Sequence, residues 1–273
     1  MHDANIMQVL IIGVGDAFTR RYFGSSAVVA APEGHVLIDC PDLIHRALFD
    51  ASTTAGWNIA AEHISDIIIT HLHGDHCNGL EAFGFYRRIL TMRDSDAPIP
   101  RLHTTPAVIE RLWDRLAPAM ESPMGTDRAS TLEDYFEIHP MSPNAPVTIA
   151  GLDVTCRWTQ HPIPTIGLRL SNGAVTFGWS GDTSFDPDHL AWLSAADCIV
   201  HECNLGPVHT HEDELLAVEA SIRRRLHLIH LPDDFDAKHC AINVLHEGQV
   251  LTITPTLDHH HESMTDDDVR RSS

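Results

Sequence analysis

Thr70-His71-Leu72-His73-Gly74-Asp75-His76 carries four potential metal ligands in an HxHxDH pattern. Binding a divalent ion requires several lone pairs converging about 2.0–2.2 Å from one point, and imidazole is the commonest donor for that task. A tight loop after a strand presents alternate side chains in this way, and the cluster has donors enough for two neighbouring ions. The chain holds 21 histidines, far more than packing requires. Three further candidates, His161, Asp182 and His230, each follow or close a strand-like run.

Other patterns carry less chemistry. Gly13-Val14-Gly15 after a strand suggests a dinucleotide loop, but Phe18 stands where the third glycine of GxGxxG belongs, so a turn is the better account. Six cysteines are dispersed without a CxxC pair, which fits reduced, mostly buried thiols. The net charge of −20 opposes a general electrostatic grip on nucleic acid, which rests on neutralising phosphates. Arg20-Arg21, Arg87-Arg88 and Arg223-Arg224-Arg225 are the local basic exceptions, and Arg87, Arg88, Arg93 and Arg101 are candidates to shape a pocket mouth.

The elements that must position these groups alternate strands and helices. Met7 to Ile12, Ser26 to Ala30 and His35 to Asp39 have strand grammar, the last two joined by a Pro32-Glu33-Gly34 turn. Leu43 to Ala51 has helical spacing, and Ile64 to Thr70 is an apolar β-branched run leading straight into His71. Helices are expected from Gly79 and from Pro106, with Pro at the first turn of the latter, and an irregular loop over Glu121 to Ser130. In the second half, strands are expected over Gly151 to Thr159, Ile166 to Leu170, Ala174 to Trp179, Asp197 to His201 and Leu226 to Ile229, with an Asn172-Gly173 hairpin turn. One helix is expected over Glu212 to Arg225.

No Ser- or Gly-rich linker divides the chain, so residues 1–258 read as one domain. Residues 259–273, with His259-His260-His261 and Asp266-Asp267-Asp268, read as a disordered tail able at most to scavenge metal. The opening residues lack a basic n-region, and the run Met7 to Ile12 is too short for a signal core or a membrane span. A cytoplasmic location without membrane association is expected.

The ordered set of parts resembles the metallo-β-lactamase superfamily over most of the chain. Those parts are Gly13-Val14-Gly15-Asp16 after a strand, Leu37-Ile38-Asp39-Cys40, the HxHxDH loop, His161, Ser180-Gly181-Asp182-Thr183 and Ile229-His230-Leu231. Within it, His161-Pro162-Ile163-Pro164-Thr165, Trp179-Ser180-Gly181-Asp182-Thr183, Val200-His201-Glu202-Cys203 and His209-Thr210 are similar to segments of ribonuclease Z and related phosphodiesterases.

The resemblance implies an α/β (α+β) fold, an αββα four-layer sandwich of two mixed sheets with helices outside. It implies His71, His73 and His161 on a first metal, Asp75, His76 and His230 on a second, and Asp182 shared. A hydroxide bridging two divalent ions, zinc above iron or manganese, would attack phosphorus. Asp75 would also orient or deprotonate that nucleophile, His209 would protonate the leaving oxygen, and Glu202 would hold its ring. His211 is the competing register for His209, and Asp39 is expected to accept from a ligand imidazole.

Long-arm ribonuclease Z enzymes carry a basic insertion between the third histidine and the bridging aspartate, whereas here a short hairpin fills that interval. The expected substrate is therefore a small or nucleotide-type phosphodiester, handled by a homodimer. The alternatives are a tRNA 3′ endonuclease, a sulfatase or lactonase using the same site, or a redox di-iron or non-catalytic metal-binding protein.

Overall fold

The computed structural model describes residues 5–143 and 145–256. The tail expected at 259–273 lies outside them. Along β1 (Met7–Gly13) successive side chains face opposite ways, so Met7, Val9 and Ile11 join one buried cluster while Leu10 and Ile12 join another. This alternation is what builds a layered molecule.

The first sheet also contains β2 (Ser26–Ala31), β3 (Gly34–Ile38), β4 (Asp66–Ile68), β5 (Arg101–Thr104) and β6 (Glu137–Pro140). The second is built from β7 (Val147–Ile149), β8 (Leu152–Trp158), β9 (Ile166–Ser171), β10 (Thr176–Trp179), β11 (Cys198–Glu202), β12 (Leu226–Ile229) and β13 (Asn243–Val244). The last strand, β14 (Val250–Ile253), returns to the first sheet, whose order is β14-β1-β2-β3-β4-β5-β6; the second runs β13-β12-β11-β10-β9-β8-β7.

Val9, Val29 and Ile38 from one sheet meet Val154, Leu168, Phe177 and Val200 from the other in the central core. On the outer face of the first sheet, Leu37 and Ile67 pack beneath Leu48 of α1 (Ile44–Ala55), Phe83 of α3 (Leu80–Arg93) and Leu112 of α4 (Pro106–Met120). A four-residue α2 (Gly74–Cys77) precedes α3. Ile199 and Leu228 lie under Leu193 of α5 (Pro187–Leu193) and Leu215 of α6 (Glu212–Leu216). Helix, sheet, sheet and helix give the αββα sandwich expected from the sequence, each large apolar side chain contributing about 1.5–3 kcal/mol on burial.

The strands β3, β4, β5 and β6 are mutually parallel, as are β10, β11, β12 and β13, while β8 and β10 flank β9 antiparallel. The C-terminal ends of β3 and β4 therefore open on one edge of their sheet, and those of β8, β10, β11 and β12 on one edge of theirs.

The structure departs from the sequence reading in three places. Over Glu212 to Arg225 it forms two short helices, α6 and α7 (Ala220–Arg223), because the Arg223 guanidinium takes the carbonyls of Leu216 and Val218 between them. Only Asp66–Ile68 of the Ile64 to Thr70 run is strand; Thr70 has already turned its backbone N–H to Asp39. Arg87 and Arg101 shape no pocket mouth: Arg87 is buried and donates to the carbonyls of Ala61, Ile64 and Pro98, and Arg101 pairs with Asp66. Among the described residues no helix is long and apolar enough to cross a membrane.

Candidate metal centre

Each candidate ligand stands just beyond a strand's C-terminal end. The chain leaves β4 through His71 and His73 and turns at once into α2, which carries Asp75 and His76. His161 follows β8, Asp182 follows β10 and His230 follows β12. Two of these turns need unusual backbone: Gly181 has φ 61° with Ile166 O against the position a Cβ would take, and His230 itself has φ 62°.

The two sheets thereby bring the expected ligand groups together. One ligand atom each from His71, His73, His161 and Asp182 falls within 4.8 Å of the others, and the same holds for Asp75, His76 and His230. His73 Nδ1 lies 3.1 Å from His71 Nε2 and 3.0 Å from His161 Nε2. Asp75 Oδ2 lies 3.1 Å from His230 Nε2 and 3.4 Å from His76 Nε2. Asp182 stands between the groups, with Oδ2 3.7 Å from His71 Nε2 and 3.5 Å from His230 Nε2, and Oδ1 3.4 Å from His76 Nε2.

These separations test the fit of a cation. Four donors at 2.0–2.1 Å from a tetrahedral ion are spaced about 3.3–3.4 Å apart, and the observed values scatter around that figure. The buried Nε2 of His76 also has no hydrogen-bond partner among the described residues, although two carboxylates face it. Such a polar atom is normally satisfied. The donor set fits a divalent-metal site.

Support comes from behind the rings. Asp39, fully buried and itself at φ 58°, places Oδ2 2.8 Å from His76 Nδ1. The Thr70 hydroxyl donates to Asp39 at 2.8 Å and lies 3.0 Å from His71 Nδ1. With Nδ1 occupied, each ring offers Nε2 as the lone pair. On the far side, the Asn204 amide bridges Asp16 Oδ2, at 3.2 Å, and His230 Nδ1, at 3.3 Å.

Protonation follows the same design. Burial, with His76 alongside, pushes the His71 imidazolium pKa well down, and burial lowers His161 to about 4, so both rings are neutral at pH 7. Burial would raise Asp75 and Asp182, yet the surrounding imidazoles hold both carboxyls well below the usual range. Burial would lower His76 and His230 as well, but Asp182 and the other facing carboxylates raise both, so cation binding at these two rings releases protons, neutral imidazole and ionised carboxylate being the metal-binding forms.

Beside this cluster, alternation along β11 turns Glu202 to the same face as Cys198 and Val200, toward the space between the sheets. Glu202 Oε1 accepts from the Thr183 backbone N–H at 2.8 Å and lies 3.0 Å from His209 Nδ1. Ligand atoms of His209, His230 and Asp182 also fall within 4.8 Å of one another. His211, the residue that precedes α6, is directed elsewhere: its Nε2 lies 2.9 Å from Gly206 O. Burial and Asp182 push the Glu202 carboxyl up.

Sequence reasoning gave no role to Thr70, Asp16 or Asn204. The first two lie inside recognised motifs, whereas nothing in the local sequence marks Asn204.

The family model described as Anti-Pycsar protein Apyc1 matches residues 7–251. The Anti-Pycsar protein Apyc1 of Paenibacillus sp. (strain J14) is 29% identical over 259 residues, covering 90% of this chain and 99% of that protein. Its counterpart in Paenibacillus harenae is 28% identical over 236 residues, covering 84% and 92%. Among solved structures, the metallo-β-lactamase fold protein YhfI from Bacillus subtilis aligns with a TM-score of 0.74 at 19% identity, over 90% of this chain and 99% of that one. The short form of human tRNase Z aligns with a TM-score of 0.66 at 19% identity, over 91% and 100%. The fold is the metallo-β-lactamase fold.

Proposed function

This chain belongs to the Anti-Pycsar protein Apyc1 family, and from that premise we propose that it opens a cyclic nucleotide by hydrolysing one of the two ester bonds at phosphorus. It is a metal-dependent hydrolase, and the finer reading concerns what it cleaves and with which ions. One observation carries that reading: Asp182 stands between two groups of metal-binding side chains, and the Glu202–His209 pair lies beside them.

In this reading His71, His73 and His161 hold one divalent ion, Asp75, His76 and His230 hold a second, and Asp182 serves both. Zinc suits a set dominated by imidazole and completed by carboxylate. When bound, such ions supply Lewis acidity toward a phosphoryl oxygen and lower the pKa of water. The protein's own groups do the rest. Asp75, ionised at neutral pH, accepts a proton from the attacking water. His209 donates a proton to the departing ester oxygen, and Glu202 fixes its ring through Nδ1. The product is a nucleoside monophosphate, with one P–O bond broken and one formed.

A small substrate is supported by the hairpin of β9 and β10, closed at Gly173 (φ 87°), which occupies the interval between His161 and Asp182. The net charge of −20 also disfavours a long polyanion. A cytoplasmic homodimer completes the reading; sedimentation tests the dimer.

The test pairs elemental analysis of the purified protein with a substrate panel: 3′,5′-cyclic mononucleotides, a linear phosphodiester, a tRNA precursor, a sulfate ester and a lactone. Turnover of the cyclic nucleotides, lost in Asp75→Ala and His209→Ala, is the expected result. Turnover confined to the tRNA, sulfate or lactone overturns the substrate assignment.

A further inference from the structure

A cavity of about 740 Å³ opens beside His73, within the ~300–1,000 Å³ range of small-molecule sites. Its walls are tied by sequence to the metal-binding side chains. Leu72 lies between His71 and His73, and Ile163 and Pro164 follow His161 within the same turn of chain; all three line the cavity. The rest of the lining comes from α4, through Ala107, Val108, Glu110, Arg111, Asp114 and Arg115, so its two carboxylates leave Arg115 as the cation that can meet an anion. Any molecule in this space adjoins the centre on the side of His71, His73 and His161.

The two arginines differ in what already occupies them. Arg111 is paired with Asp114 at 3.3 Å on its own helix. Arg115 donates instead to the neutral side-chain oxygen of Asn78, at the C-terminal end of α2 just beyond His76, and Asn78 in turn donates to Asp42 at 3.0 Å. That chain of contacts aims the guanidinium, and among the described residues its charge meets no carboxylate in direct contact. In a protein of net charge −20, a cation pinned by an amide at the edge of the reaction centre is an anion-binding element.

Resting on the cyclic-nucleotide reading above, we propose that this cavity is the nucleoside seat: Leu72, Ile163 and Pro164 face the ring system, and Arg115 binds an anionic oxygen of the substrate. The apolar wall supplies contact area without sequence-like base reading, and the guanidinium anchors the charged end. Both interactions exist before and during reaction, so they act on binding more than on the chemical step.

The test measures KM and kcat separately on 3′,5′-cyclic mononucleotides, with metal content checked in every variant. Arg115→Gln is expected to raise KM about tenfold, the effect of one partly solvated charge-assisted hydrogen bond, with kcat within about threefold of wild type. Arg115→Lys is expected to recover part of that loss by restoring the charge, and Ile163→Ser to raise KM severalfold. Arg46→Gln, an exposed arginine of α1 paired with Asp50 and outside the cavity lining, serves as the control and stays within about twofold. Unchanged KM in Arg115→Gln and Ile163→Ser, or a loss confined to kcat, overturns the seat while the active wild type preserves the function. A metal-loaded wild type inert toward every cyclic nucleotide overturns the parent reading and the seat with it.

Discussion

Asp39 Oδ2 lies 2.8 Å from His76 Nδ1, and the same carboxylate accepts from the Thr70 hydroxyl that lies 3.0 Å from His71 Nδ1. One buried acid thus orients a ring in each half of the centre. Removing it frees two imidazoles from their tautomer as well as their rotamer.

Asp39→Ala is accordingly expected to weaken metal binding about 10–100-fold, the usual cost of losing such a supporting group. Competition against a chelator of known affinity measures this directly. Retention equal to wild type contradicts the role, as does a variant that unfolds before metal is lost.

His209→Ala is expected to lower kcat about 10²–10⁴-fold, the range for loss of a positioned proton donor, while the metal content stays at the wild-type level. Glu202→Gln is expected to show a smaller loss, because an amide oxygen can still meet His209 Nδ1 but carries no charge. Wild-type kcat in Glu202→Gln refutes the pairing. His211→Ala, whose ring faces Gly206 O, is expected to keep near-normal turnover.

Away from the centre, Asp66 is buried between Arg101, His103 and Ser65, with all four contacts at 2.7 Å. Burial alone would raise its carboxyl, but the hydrogen bonds from His103, Arg101 and Ser65 outweigh it and depress the folded-state value. A depressed carboxyl stabilises the fold fully above its ordinary value near 4 and loses that contribution as pH falls below it. Asp66→Ala is expected to cost about 2–3 kcal/mol at pH 7, since the half-exposed Arg101 can turn to water. Urea midpoints at neutral and acid pH check this, the gap between variant and wild type narrowing below pH 4.

Gly181→Ala tests the turn that delivers Asp182. A Cβ at φ 61° meets Ile166 O, so a loss above ~1 kcal/mol is expected, together with weaker metal retention as Asp182 shifts. Differential scanning with and without added zinc reads both effects. Wild-type behaviour on both counts contradicts the geometric role of Gly181.

The first strand was legible because burial on both faces leaves a short unbroken apolar run stopped by a turn: Val9 to Ile12 before Gly13-Val14-Gly15, with Val9 and Ile11 in one cluster and Leu10 and Ile12 in the other. The HxHxDH loop was equally visible, since four ligand-type residues crowd one short segment. What stayed hidden depends on contacts between distant segments. Asn204 matters through Asp16, far along the chain, and Arg115 through Asn78; neither has a spacing that announces it. The strand β14 is four residues long and pairs with the other end of the chain, so local pattern carried little of it. The break between α6 and α7 depends on which carbonyls Arg223 reaches, which apolar spacing does not encode.

The central claim is that these histidines and aspartates hold the ions on which cyclic-nucleotide hydrolysis depends. The most direct measurement strips the purified protein of metal, then follows ring opening of a 3′,5′-cyclic mononucleotide by phosphorus NMR as zinc is titrated back. The account predicts no product from the stripped protein and activity rising to a plateau at two equivalents of zinc per chain, with Asp182→Ala failing to recover. Undiminished turnover by the stripped protein, or a fully reloaded protein that leaves the ring closed, contradicts it.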